Sequence, residues 1–406
     1  MTSLLVIIVL VLLGIAIWQL TKIFQLTQIG AAKAYEDGMS EVATDKDNNV
    51  NGYLMFAFVG FIYIVTIFSL WKYGHLVLGT PASEHGPQYD NLMAISMALI
   101  FFVQTITQFL LHYFAFKYRG KQGKTAFYYA DNDKLEFIWT IIPVIVLAGL
   151  ILYGLYAWTN IMFIDKEKED TIFVEVYAKQ FSWEVRYAGK DGMLGKANVR
   201  YIEGVNTTGV DMSDPKSFDD IMSTELHLPK GKQVVFYFRS QDVLHSAYMP
   251  HFRAQMNVVP GMVTEFAFVP TMTTDEMRQD PAIMNKVANI NAIRSKKSAE
   301  LVADGKPALD PYTFDYLLLC NKICGQSHYN MQMKVVVEDE ADFNKWLEGK
   351  ESLGVAVNKS KEDAAKGQDT NDTRGEGEAP AGENATPSPT DTVAVMPKAV
   401  AQVTKK

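Results

Sequence analysis

The sequence predicts a helical membrane anchor followed by an all-β sandwich or barrel domain. Three observations carry this: apolar runs of membrane-spanning length crowd into the first 165 of 406 residues, short β-type segments occupy about 165–350, and the last 55 residues are polar. The chain average of 48% hydrophobic and 21% charged residues conceals this division, because the two ends offset each other.

Four apolar stretches, 4–20, 53–70, 92–116 and 137–164, approach or exceed the roughly 20 helical residues that cross a hydrocarbon core. Three end in aromatic belts suited to the headgroup level: Trp71 and Tyr73, Tyr113 to Tyr118, and Tyr153 to Trp158. The first stretch reads as a retained helix rather than a signal peptide. Only Met1, Thr2 and Ser3 precede it, with no basic residue, and Trp18, Gln19 and Leu20 offer no small-residue cleavage site. Orientation follows the loop cations. Lys117, Arg119, Lys121, Lys124 and Lys134 lie between the third and fourth stretches, whereas Lys72 alone lies between the second and third. The third-to-fourth loop is therefore expected in the cytoplasm, and everything after Ile164, with the N-terminus, outside.

The expected organisation is two extra helices with their loops over 1–90, a transmembrane hairpin over 91–164, an exported β domain over 165–350, and a tail over 351–406. Segments 171–177, 233–238, 263–269, 313–319 and 333–338 are rich in β-branched and aromatic residues and bounded by turn formers, as in an antiparallel sandwich. A polar stretch over about 271–310 interrupts them as a partly helical insertion. The tail, mostly Ala, Gly, Pro, Thr and charge, lacks the apolar surface to offset ordering entropy and is expected to be disordered. A net charge of −8 argues against nucleic-acid binding. Two cysteines exclude a disulfide scaffold and any four-cysteine metal site.

Those cysteines lie in Cys320-Asn-Lys-Ile-Cys324-Gly-Gln-Ser-His328-Tyr-Asn-Met331, which packs four soft or borderline ligands into twelve residues. Thiolate, imidazole and thioether together suit copper in an electron-transfer role. The segment connects two expected strands, a scaffold that can hold ligands rigidly. A strained disulfide in an oxidising compartment is the structural alternative. Singly, His328 reads as a surface histidine and Met331 as core packing, so the weight lies on their joint spacing. Upstream, Asp242-Val-Leu-His245-Ser precedes Pro250 and Val258-Val-Pro-Gly261, placing a further imidazole at a strand end.

Together, DVLHS…P…VPG and C-x3-CG-x2-H-x2-M resemble subunit II of haem–copper cytochrome c oxidase, as found in bacteria. LEFIWTIIPVIVLAGL over 135–150 is similar to that family's second anchoring helix, and KQFSWEVRY over 179–187 to its aromatic segment. The resemblance covers about 92–348 apart from the insertion. It implies a cupredoxin-like domain carrying the binuclear copper centre Cu-A. Cys320 and Cys324 would bridge two copper ions, His245 and His328 would each cap one, and Met331 with the carbonyl of Lys322 would be weak ligands. Two bridging thiolates spread the electron over both ions, and a closed cage leaves no position for substrate.

Two positions depart from the family. Lys322 stands where a glutamate usually helps hold magnesium against subunit I; an ammonium group cannot ligate a cation, which counts against that magnesium site. Phe181 stands where electrons usually enter through a tryptophan, while Trp183 matches the second aromatic. Phe181 reads equally as an electron-entry surface or as core packing. Glu136 matches a glutamate at the mouth of a proton-uptake channel and reads equally as a helix N-terminal acid.

The resemblance implies a non-catalytic electron-transfer subunit of a proton-translocating oxidase. It would work with subunits I and III in the cell membrane, with its copper domain on the outer side. The donor would be cytochrome c or a tethered cytochrome. No CxxCH haem-attachment motif is present. The exported region has 27 acidic and 22 basic residues, a net −5 that mildly favours a basic donor. A quinol-oxidase type of subunit II would have lost the copper ligands, all five of whose side chains are present. A copper chaperone would have a thioredoxin-like fold and usually one anchor, and a structural membrane protein with a disulfide loop would bind no copper.

Overall fold

The structure, a computed structural model, describes residues 11, 13–25, 44–74, 77, 79–125 and 127–369. Part of the first apolar stretch falls outside them; residues 13–25 are helical. Three further helices are long and apolar enough to cross a membrane: α1 (Asp45–Tyr73), α2 (Gly86–Lys117) and α3 (Asp133–Met162). Each starts with a recognisable device. Thr44 and Asp47 form a capping box for α1, Pro87 opens α2, and Asn132 accepts the Leu135 N–H at 3.1 Å to cap α3. Polar contacts join the start of α1 to the end of α2, with Arg119 Nε donating to Asn49 Oδ1 at 2.6 Å and the Gln122 N–H to Asp45 Oδ1 at 2.6 Å.

Beyond α3 the chain forms β1 (Ile172–Lys179), β2 (Ser182–Tyr187), β3 (Ile221–Ser223), β4 (Leu226–Pro229), β5 (Val234–Ser240), β6 (His245–Met249), β7 (Ala254–Val258), β8 (Thr264–Phe268), β9 (Tyr316–Cys320) and β10 (Gln332–Glu338). They make two five-stranded sheets, ordered β3-β2-β1-β5-β8 and β4-β10-β9-β6-β7. One buried cluster joins them, drawing Val176, Trp183 and Phe236 from the first sheet and Leu226, Leu318 and Val335 from the second. This is the expected cupredoxin-like sandwich, with one difference from an antiparallel reading. β1 with β5 and β4 with β10 pair in parallel. The intervening chain travels far enough to make those crossovers, which short strand patterns cannot reveal.

β1 is buried on both faces, against simple alternation. Its outward Glu175 meets Arg186, which also reaches Asp220 Oδ2 at 2.5 Å and the Gly195 carbonyl at 2.9 Å; Arg239 donates to the other Glu175 oxygen at 2.7 Å. Opposed charges with fixed hydrogen bonds make burial of these groups tolerable. The interruption over 271–310 is helical, as α4 (Thr274–Arg278) and α5 (Pro281–Ala303), and returns to the sandwich through paired Asn291 and Tyr312 hydrogen bonds. Helix α6 (Glu340–Glu348) follows β10 and seats Phe343 in the core.

The expected disordered tail needs correction at its start. Helix α7 (Leu353–Asp369) begins there, because Leu353 is buried and its N–H donates to the Asp220 carbonyl at 2.7 Å. Composition cannot show such a docking partner. Residues 357–406 form a separate unit, and 370–406 lie outside the described residues.

The α1–α2 loop is woven into the sandwich. The Ala82 N–H donates to the His251 carbonyl at 2.8 Å, the Glu84 N–H to the Val269 carbonyl at 3.0 Å, and Ser83 Oγ to the Phe252 carbonyl at 2.7 Å. Arg253 grips both Asp90 oxygens at 2.8 and 2.9 Å and the Gly79 carbonyl at 2.7 Å. This loop and the sandwich therefore share one side of the helices, as the loop charges imply.

The Arg253 side chain is nearly fully buried, so Asp90→Ala leaves a guanidinium without its counter-charge. The expected loss is about 2–4 kcal/mol, read as a lower thermal midpoint and faster proteolysis between α1 and α2. His251 is held neutral, its pKa pushed down to about 4 by burial and then by Lys286 and Arg253. A depressed histidine pKa means the unfolded chain takes up more protons, so its contribution is complete above about 6.5 and is lost as pH falls towards 4. His251→Phe should flatten that part of the stability–pH curve, measured by thermal unfolding across pH 4–7.

Candidate metal centre

The centre is assembled by strand pairing across 75 residues of sequence. β6 begins at His245 and β9 ends at Cys320, and the two run antiparallel with Ala247 opposite Cys320. The Asn321 N–H donates to the Ser246 carbonyl at 2.9 Å, locking the strand ends together. On the other side, the Cys320 N–H donates to the Met331 carbonyl at 3.0 Å, closing the base of the loop before β10. Within the loop the short turn His328–Asn330, held by the His328 N–H on the Gly325 carbonyl, aims the imidazole back at Cys324.

Two free thiols stand at the middle, with Sγ atoms 3.8 Å apart. That is nearly twice the roughly 2.05 Å of a disulfide bond. Each sulfur has its own imidazole: His245 Nδ1 lies 3.7 Å from Cys320 Sγ and His328 Nδ1 3.7 Å from Cys324 Sγ. Met331 Sδ is 3.8 Å from Cys324 Sγ, and the Lys322 carbonyl accepts from Cys320 Sγ at 3.2 Å. His245, Met331 and Cys324 are buried, Cys320 and His328 half-buried. Ligands sharing a tetrahedral ion at about 2.3 Å stand about 3.8 Å apart, so the donor set fits soft metal ions. The Lys322 side chain points to solvent, which matches a role for its carbonyl alone.

Asp242 completes the arrangement, and its role was not evident from sequence beyond the D-x-x-H spacing. Its Oδ1 lies 2.9 Å from His245 Nε2, fixing the ring so that Nδ1 faces the sulfurs. Burial raises the Asp242 carboxyl pKa, but hydrogen bonds from His245, Gln180 and Val243 outweigh it and hold it below the usual range. The Cys324 thiol is pushed up to about 11 by burial and then by the adjacent Cys320. A cation between the sulfurs would reverse that balance.

The aromatic candidates border this cluster. Trp183 is buried, its ring 6.0 Å from that of His245 in edge-to-face contact, and so offers no surface. Phe181 is half-buried against the core and covers Gly325. Gly325 has φ +141°, and a Cβ there would stand 2.8 Å from the Phe181 ring. Glu136 is not part of the centre. It sits exposed in the first turn of α3, about 40 Å of helix from the β domain.

The family described as "Cytochrome C oxidase subunit II, transmembrane domain" matches residues 73–157. The chain is 32% identical over 284 residues to "Alternative cytochrome c oxidase subunit 2" of Bradyrhizobium diazoefficiens, covering 70% of this chain and 85% of that protein. It is 22% identical over 317 residues to "Cytochrome c oxidase subunit 2" of Thermostichus vulcanus, covering 72% and 84%. A solved periplasmic domain of subunit II of cytochrome oxidase from Bradyrhizobium japonicum aligns with 44% of this chain and 91% of its own length, at 14% identity and a TM-score of 0.24. That superposition is too weak to argue from, and the fold rests on the strands described above. Coverage of most of the alternative oxidase subunit at 32% identity carries the assignment: this chain belongs to the subunit II family of cytochrome c oxidases.

Proposed function

We propose that the chain is the electron-input subunit of its oxidase, holding two copper ions between the Cys320 and Cys324 thiolates. The observation that carries this reading is the pairing of two unbonded thiols, 3.8 Å apart, with one imidazole Nδ1 each at 3.7 Å. His245 and His328 are the nitrogen ligands, and Met331 and the Lys322 carbonyl the weak ones. Bound copper supplies one-electron redox chemistry shared through the thiolates.

The remaining work belongs to the chain. Asp242 keeps the His245 ring in the ligating orientation. The β6–β9 and β9–β10 ladders fix both ends of the ligand loop, so little moves when an electron arrives. Burial of Met331 and Cys324 keeps water off the sulfurs. Electrons enter from cytochrome c, or a tethered cytochrome, on the outer face. Half-buried Phe181 marks the entry surface, with Trp183 behind it. They leave for haem in subunit I, where oxygen is reduced to water with proton translocation. Subunit III and surrounding lipid complete the assembly in the bacterial cell membrane. Glu136, at the far end of α3, serves a proton-uptake route from the inner side.

The purified complex should carry two copper ions in this subunit, and its electron paramagnetic resonance spectrum should show one electron shared by two nuclei. Cys320→Ser or Cys324→Ser should abolish that spectrum. A one-copper spectrum, or none in the wild type, would sink the proposal.

Because burial pushes the Cys324 thiol up to about 11 and keeps it protonated without metal, copper uptake must displace that proton. Apparent copper affinity of the metal-depleted protein should weaken by about tenfold for each unit that the pH falls, per proton displaced. Competition titrations at pH 6, 7 and 8 would check this.

A further inference from the structure

The turn between β1 and β2 lies across the top of the candidate centre. Lys179 pairs with Ser182, so Gln180 and Phe181 form the turn itself. The Gln180 backbone N–H donates to Asp242 Oδ2 at 2.7 Å, while the other Asp242 oxygen holds His245. The Gln180 side-chain Nε2 donates to the Cys324 carbonyl, and the neighbouring Phe181 ring covers Gly325. One residue therefore reaches both arms of the ligand set, the His245 arm by its backbone and the Cys324 arm by its side chain.

The second contact has no substitute. Among the described residues, no other hydrogen bond joins segment 322–330 to a group outside Cys320–Met331. The ladders secure the loop at its base, near Cys320 and Met331, but Cys324 and His328 lie out along it. Without the Gln180 amide, no hydrogen bond from outside the loop would place Cys324, which would be left to the loop's own turns and to packing against the core and Phe181.

We propose that Gln180 is a positioning residue of the metal centre: its side-chain amide ties the Cys324 arm to the Asp242–His245 arm and sets the geometry between the two thiolates. The inference rests on the copper reading above. The amide also brings the positive end of a dipole to the peptide that carries Cys324. This favours the added electron, so losing it lowers the reduction potential.

The test uses the intact oxidase complex with Gln180→Met, which keeps the length and removes the donor, and Gln180→Lys, which restores an N–H donor. Both retain the backbone contact to Asp242. Copper content, the copper hyperfine pattern and the midpoint potential are read for each. We expect two copper ions throughout, an altered hyperfine pattern and lower potential in Gln180→Met, and a hyperfine pattern returned towards wild type in Gln180→Lys. The hyperfine pattern decides the rescue, since the lysine charge by itself shifts the potential. Copper lost from Gln180→Met but kept by Gln180→Lys supports the tie as well. A wild-type spectrum and potential in Gln180→Met overturns the inference and leaves the copper reading standing. Loss of copper from both variants also overturns it, because the turn would then act by packing. A wild-type complex without a shared-electron spectrum defeats the copper reading first, and the inference with it.

Discussion

Two sulfur atoms held 3.8 Å apart without a bond between them, one of them a buried thiol pushed up to about 11, define the constraint on this end of the sandwich. Closing to a disulfide would need the sulfurs to move together by nearly half that distance. The β6–β9 pairing and the Cys320–Met331 closure keep the ends of the loop where they are; a turn within the loop presents His328 to Cys324, and the start of β6 presents His245 to Cys320. Burial, and then the adjacent Cys320, disfavour ionisation of the Cys324 thiol. The arrangement thus stores an affinity for a cation, expressed when protons leave. Asp242 occupies the other nitrogen of His245 and so holds Nδ1 towards the sulfurs. Removing any one of these supports frees a ligand without altering the ligand list.

The rest of the molecule can be understood as holding that end still relative to the membrane. The sandwich does not hang from α3 by a tether alone. The α1–α2 loop adds backbone hydrogen bonds to its edge, and Arg253, on the turn after β6, grips Asp90 in α2. Arg253 follows His245 by eight residues, so the strand that supplies a ligand candidate runs directly into the clamp on the membrane helix. On the opposite sheet, Arg186, Arg239, Glu175 and Asp220 fill the outward face of β1 with fixed charges. Such a network is a poor source of net stability but a demanding one geometrically, since each partner is costly to leave alone. That suits a scaffold whose task is to fix positions.

Much of this was legible in the chain because the signals are local. Apolar runs of helical length located α1, α2 and α3, and alternating β-branched segments located β1, β5, β8, β9 and β10. The twelve residues from Cys320 to Met331 single themselves out by spacing, and the structure brings both thiols, His328 and Met331 together. What sequence could not supply depends on distant partners. β4 and β7 are short and carry polar residues, so their pattern is weak until a neighbour is known. The parallel pairings are properties of the crossovers, not of the strands. Leu353 looks like tail until the Asp220 carbonyl receives its N–H. Asp242 and Gln180 are ordinary turn residues until Cys324 and His245 arrive beside them.

That last case bears on how sites of this kind are read. The ligand candidates are soft or aromatic residues at diagnostic spacing, so they stand out; the groups that orient them are common polar residues with no spacing rule of their own. Gln180 lies 62 residues before Asp242 and 144 before Cys324, and joins them through one turn. A relative that kept every cysteine, histidine and methionine, but lost the turn, would retain the ligand list and lose the fixed distances between its members. In an electron-transfer site those distances matter as much as the ligands. A cage that must rearrange when its charge changes puts that rearrangement into the barrier, while one held by its surroundings does not. The β1–β2 turn, the Asp242 carboxylate and the two strand ladders are the surroundings in this chain.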